Sequence, residues 1–314
     1  MNRLRHSAGG YRRRLQVGSA EVILLVEGKT DRYFYNKVLA PVCRAEGVSH
    51  AVRIARELPQ QAGGKATLLA YYRYLRRKGS LVSDLGGKRT LIVIVLDKDV
   101  DDLCRRRMKS DHVVYTEYYD VENYLYRHGD LVEAAAAASG LTADEVDSML
   151  GDDVAWRLQV QQNWRDWLCV CVFSATRRLR RGGNYGVIPS PVNTPPRGAV
   201  DPAKLQARLT LMEAEHNRGA RSFRRAWRRV QAAVDEMLAR GEADRVFKGK
   251  WYSWILAQDL VALADSREAH LHSLETRLPH HLAQSIPSDA AWAAPLRIRM
   301  RQLIVRADMS APAA

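Results

Sequence analysis

The chain has 314 residues, of which 46% are hydrophobic and 27% charged, a balance that supports a folded core and excludes a wholly disordered chain. Its formal net charge of +14 favours a polyanionic partner, nucleic acid above all, although Arg far outnumbers Lys, a bias that GC-rich coding also produces. No apolar leader and no run long enough for a bilayer is present, so a cytoplasmic location without a membrane partner is expected.

In chain order, Glu21–Val26 is a compact aliphatic run suited to a strand buried on both faces. Thr30–Ala40 follows with helical spacing, Ala51–Ala55 is a weaker strand, and Ala66–Arg77 is an amphipathic helix. Thr90–Leu96 is the strongest strand and His112–Thr116 a shorter one. Strands alternating with helices predict a parallel α/β sheet with helices on both faces. Beyond Gly129 the pattern turns helical. Ala134–Ala138 is an alanine run, and Thr142 with Glu145 forms a capping box. Trp156, Val160, Trp164, Trp167, Leu168 and Cys171 form an apolar stripe whose first explanation is core packing. Asn184–Pro202 holds five prolines and reads as a loop; helices resume at Lys204–Asn217, Ser222–Arg240 and Trp251–Asp265, and the tail Met309–Ala314 is expected to fray. Cys43, Cys104, Cys169 and Cys171 form no CxxC pair and are expected to be reduced.

Two acidic motifs sit where strands run into loops. Val26-Glu27-Gly28-Lys29-Thr30-Asp31 places a carboxylate at a strand end, then a glycine and a helix. Leu96-Asp97-Lys98-Asp99-Val100-Asp101-Asp102 closes the strongest strand. Ligands of parallel α/β sheets bind beyond the carboxyl ends of the strands, so both motifs should face one crevice if their strands are neighbours. Asp97 and Asp99, two apart, point to one side of an extended chain. An all-oxygen donor set favours Mg²⁺ or Mn²⁺ over Zn²⁺. Such a site can polarise a phosphodiester, with Glu27 as general acid/base or bridge to a second ion.

VILLVEGKTD and VIVLDKDVDD resemble the two signature motifs of the Toprim domain of topoisomerases, primases, small ribonucleases and OLD-type nucleases. The resemblance implies a compact Rossmann-like sheet, with Glu27 as the acid/base residue and Asp97 and Asp99 as Mg²⁺ ligands. It adds Asp31 as a second-metal ligand, though Asp31 equally suits the first turn of a helix. Asp101 takes the place of a third acidic residue. Tyr115–Leu125, with its YDVENY segment, and Phe247-Lys248-Gly249-Lys250-Trp251 resemble the Toprim family that includes AriB, the effector nuclease of PARIS anti-phage systems. That likeness implies a toxic endonuclease that cleaves tRNA and is released by an ATPase sensor; a homodimer is left open. Glu122 is then a further metal ligand or orients one, Asn123 bonds to nearby backbone, and Lys250 or Lys248 neutralises the phosphate. Helix capping by Glu122 and Asn123, and solvation of both lysines, are the structural alternatives.

Arg105, Arg106 and Arg107 directly follow the acidic loop, where they could hold a phosphate backbone. Arg177, Arg178, Arg180 and Arg181 form a second patch. Arg224, Arg225, Arg228 and Arg229 surround Trp227, and Arg beside an aromatic suits single-stranded or looped RNA, whose exposed bases can stack; a solvated helix face is the alternative for each patch. The expected organisation is a Toprim catalytic domain over residues 16–130 and a mainly helical domain over 131–308. The alternatives are a DNA-cleaving OLD-like nuclease, a non-catalytic Toprim module that binds nucleic acid, and a haloacid-dehalogenase-type phosphatase with Asp97 as nucleophile, which leaves Glu27 unexplained.

Overall fold

The computed structural model describes residues 7–59, 63–194, 198–264, 273–287 and 289–309. Its first elements are α1 (Ala8–Val17), β1 (Val22–Val26), α2 (Lys29–Ala45), β2 (His50–Ile54), α3 (Gly64–Arg77), β3 (Val82–Leu85), β4 (Lys88–Leu96) and β5 (Val113–Tyr115). Then come α4 (Val121–His128), α5 (Leu131–Ser139), α6 (Ala143–Leu150), α7 (Asp153–Asn163) and α8 (Arg165–Arg177). The last are α9 (Pro202–His216), α10 (Ala220–Ala239), α11 (Gly249–Ala264), α12 (Leu274–Ser285) and α13 (Ala294–Met309). The chain divides into two units, Met1–Asp97 with Met108–Thr116 and Pro287–Ala314, and Lys98–Arg107 with Glu117–Ile286. The division crosses the Asp97-Lys98-Asp99 motif.

The first unit is built on β1, whose five residues are all buried, as an uninterrupted VILLV run requires. β1 pairs in parallel with β2 on one edge and with β4 on the other. β4 is long enough to carry two further partners, antiparallel β3 along Lys88–Leu91 and parallel β5 along Ile94–Leu96. One face of the sheet, with Ile23, Leu25, Ile92 and Ile94, packs on Tyr11 and Leu15 of α1 and on Leu68, Tyr72 and Leu75 of α3. The alternate residues face the other way, where α2 packs on β1 and β2, and α13 packs on α2. The expected α/β sheet with helices on both faces is present, with β3 as its antiparallel member.

α2 runs beyond the expected Ala40 and through Pro41, with Val42 and Cys43 still buried. The sequence pattern did not disclose α1, β3, α12 or α13. β3 is four half-covered or exposed residues at an edge, and α1 buries only Tyr11 and Leu15.

The second unit is helical. The capping box opening α6 forms as expected, Glu145 N–H donating to Thr142 Oγ at 3.2 Å. The tryptophan stripe is shared by two helices that break at Trp164, and all six of its members are buried. α9 begins with Pro202 behind the cap Asp201. Pro195, Pro196 and residues 310–314 of the expected loop and tail lie outside the described residues. Among the described residues no helix is long and apolar enough to cross a membrane.

Leu24 is wholly buried in β1, so Leu24→Ala is expected to cost about 2–5 kcal/mol through lost transfer energy and an unfilled cavity. Urea unfolding measures this; a loss below about 1 kcal/mol would remove β1 from the core.

Candidate functional site

β1 and β4 are parallel neighbours, so Glu27 and Asp97 leave the same end of the sheet, each directly after its strand. The two meet there: the Asp97 backbone N–H donates to Glu27 Oε1 at 3.2 Å. Both residues are half-buried. Asp31 serves as the third residue of α2, its Oδ2 accepting a short hydrogen bond from the Gly28 N–H. This is the first-turn position considered for it, where the charge suits the positive end of the helix. Gly28 has an extended backbone (φ −134°). Its value is room, because a Cβ there would approach Asp31 Oδ2 to 3.1 Å.

Beyond Asp97 the chain enters the second unit. β4 ends at Leu96, and Asp99 takes a left-handed conformation with φ +52°. Strand alternation therefore gives no warrant for Asp97 and Asp99 pointing one way, which corrects that expectation. Asp99 N–H donates to Tyr119 O at 2.8 Å, and Asp101 N–H to Lys98 O at 3.1 Å. Lys98 is buried and bonds to Glu117 O; burial pushes its ammonium down to about 8, partly offset by Asp102. Arg105, Arg106 and Arg107 are exposed, with Arg107 held on Asp102 at 2.8 Å.

The YDVENY and FKGKW segments come together in this unit. Asp120 caps α4 and Asn123 completes a capping box, its Oδ1 accepting from the Asp120 N–H at 3.1 Å. Asn123 Nδ2 also donates to Phe247 O at 3.0 Å. Asp120 Oδ1 accepts from the Gly249 N–H at 3.1 Å, joining the start of α11 to the start of α4. Burial, then the Glu122 charge and more weakly that of Asp99, push the Asp120 carboxyl well above the usual range. Glu122 is buried, and exposed Lys250 approaches it at 3.9 Å. Lys248 donates to Tyr185 O at 2.8 Å, and burial lowers its ammonium, with Lys250 adding to the effect.

Sequence reasoning missed the anchor beneath this junction. Asp244 is completely buried. Its carboxylate accepts from Tyr252 at 2.7 Å, Gln161 at 3.0 Å, Asn123 at 3.3 Å and Arg127 at 3.0 Å, with Arg157 Nε at 3.7 Å. Its carbonyl takes the Tyr119 N–H at 2.8 Å. These partners are spread over more than 130 positions, so no local pattern marks the residue.

Among the described residues no group of three or more His, Cys, Asp or Glu is arranged to hold a metal ion. Trp227 is turned inward, with its ring 5.7 Å from Phe173, so it offers no stacking face to a base. That corrects the pairing of Trp227 with its flanking arginines. No protein-family model matches the chain, and no curated protein matches it.

Two substitutions test the α4–α11 junction. A Cβ on Gly249 would collide with Asp120 Oδ1 and lie 2.5 Å from Asn123 N and 2.7 Å from Glu122 Cβ. Gly249→Ala is expected to cost about 1–3 kcal/mol by overpacking. Asp244→Ala leaves Arg157 buried without its counter-charge and is expected to cost about 3–5 kcal/mol. Denaturant midpoints measure both, and values near wild type would show that the junction does not hold the unit together.

Proposed function

We propose that the chain is a divalent-metal-dependent phosphodiester hydrolase of the Toprim type, acting on nucleic acid. The reading is carried by one observation: Glu27 and Asp97 end adjacent parallel strands, and a 3.2 Å hydrogen bond joins them. Carboxylates at that end of a parallel sheet occupy the usual ligand position of α/β folds. The donors are hard oxygens, and Mg²⁺ commonly binds through one or two carboxylates, keeping waters or substrate phosphates as its other ligands. A pair is therefore compatible with the ion without a three-ligand cage. Glu27 and Asp97 would hold Mg²⁺ or Mn²⁺, which when bound polarises the phosphodiester and stabilises the leaving oxygen. The chain's own part is orientation and proton movement. The Asp97 N–H fixes Glu27 Oε1, and Glu27 passes a proton to or from the reacting oxygen.

The finer reading is that the substrate is RNA, tRNA above all, and that the protein is a toxic anti-phage effector released by an ATPase partner. Its support is the resemblance of the YDVENY and FKGKW segments, which are joined through the Asp120–Gly249 bond. In this reading Asp99, Asp101 and Glu122 are further candidate metal ligands, Lys250 faces the phosphate, and Arg105, Arg106, Arg107 and Lys248 belong to the nucleic-acid-binding set. A second reading, a non-catalytic Toprim module that binds nucleic acid, is favoured by the lack of a three-ligand group among the described residues.

Incubation of the full chain with tRNA, other RNAs and DNA separates the two. Cleavage is expected with Mg²⁺ or Mn²⁺, to stop with a chelator, and to fall by about 10²–10⁴-fold in Glu27→Gln at an unchanged melting temperature. No cleavage of any of these substrates would leave the binding module standing. Cleavage of DNA alone would remove the tRNA reading.

A further inference from the structure

We propose that the outer face of α10 binds the phosphodiester backbone of a nucleic acid through Arg221, Arg224, Arg225, Arg228 and Arg229. All five side chains are exposed and together line an open concavity of about 660 Å³. At 3.6 residues per turn they fall within an arc of about 140° and span about 12 Å of the helix axis. A nucleic-acid strand carries one charge per about 3.4 Å of axis, so this stripe matches three or four successive phosphates.

The stripe is electrostatically unfavourable in the free protein. Arg221 and Arg225, Arg224 and Arg228, and Arg225 and Arg229 are like charges four apart on a helix. They lie in the half of α10 nearer its positive end, whose first turn contains no acidic residue. Among the described residues none of the five is in an ion pair, whereas Asp235 and Glu236 further along the helix pair with Arg165 and Arg240. An ordinary solvated face gains from interspersed acids; a polyanion supplies what this one lacks.

The other side of α10 decides between a nucleic acid and an acidic protein. Phe223, Ala226, Trp227 and Val234 are all buried, Phe223 and Trp227 against Phe173 of α8 at 5.2 and 5.7 Å. The arginine stripe therefore presents no apolar anchor of the kind that carries protein interfaces. Five guanidiniums, each able to take a phosphate through two N–H donors, suit a backbone read for charge rather than sequence.

None of the five arginines belongs to the carboxylate pair of the proposed hydrolase, so their role is tested in chelator, where cleavage is not engaged. Fluorescence anisotropy of a labelled 20-nucleotide RNA is followed across a salt series, with the full-length protein. The variant Arg224→Gln/Arg225→Gln/Arg228→Gln/Arg229→Gln is expected to bind at least about tenfold more weakly, its salt slope reduced by roughly 3. Its melting temperature at low salt is expected to equal or exceed that of wild type, because repulsion is relieved. Unchanged affinity and slope in a folded variant would overturn the proposal. So would poly-glutamate of equal charge competing as well as RNA, since that would mark a general acidic-partner surface.

Discussion

The pairing of β1 with β4 is the constraint on which the candidate site depends. Val22 lies opposite Leu91 and Leu25 opposite Ile94, so the same register continues to bring Glu27 level with Leu96. Asp97 is then the next residue along, and its N–H falls on the glutamate. A slip of one residue would turn every β1 side chain to the opposite face, and both faces of that strand are packed. β4 is held as tightly from its other edge, by β3 near its start and β5 near its end. The alignment of the two carboxylates is thus a by-product of core packing, and no loop has to supply it.

The second unit solves a different problem, that of joining two helix starts inside a hydrophobic interior. The N-terminal N–H groups of α4 and α11 need acceptors, and Asp120 serves both, through the Asn123 and Gly249 amides. Such sharing requires the two backbones to approach more closely than a Cβ allows, which is why residue 249 is glycine. Behind them Asp244 gathers two cations and three neutral donors, so that the buried charge is neutralised and hydrogen-bonded at once. Tyr185, stacked on Trp251 at 5.4 Å and on Tyr119 at 4.7 Å, closes the same region with aromatic packing.

What could be read in advance followed the range of the interaction concerned. β1 and β4 were evident because their burial on both faces writes an unbroken aliphatic run. The α6 cap was evident because Thr142 and Glu145 satisfy each other three residues apart. Glu27 and Asp97 were placed at strand ends by the same local logic, and their adjacency then needed only the strand order. Asp31 suits two roles by sequence, and its bond to the Gly28 N–H adds a contact at the helix start. Asp244 was invisible because its partners Asn123, Gln161 and Tyr252 come from three separate helices. Trp227 misled because its flanking arginines are exposed while its ring is not; helical phase at that position, set beside Phe223, would have turned it inward.

The Asp97-Lys98-Asp99 segment shows how backbone contacts hold an acidic loop. Asp99 sits in the left-handed region, a conformation that Asp tolerates better than most residues but that still requires support. That support comes from the same strip of chain twice over: Lys98 bonds to Glu117 O, and the Asp99 N–H to Tyr119 O. Tyr119 is itself pinned by its N–H to Asp244 O. Lys98 thereby does work that a solvated lysine between two aspartates would not: its buried ammonium fixes backbone, and its charge lies beside Asp102 at 4.0 Å. An aliphatic side chain at position 98, with no donor, would forfeit the bond to Glu117 O. The acidic loop is consequently set by the same Asp244 hub that organises α4 and α11, and its conformation belongs to the helical unit more than to the strand it follows.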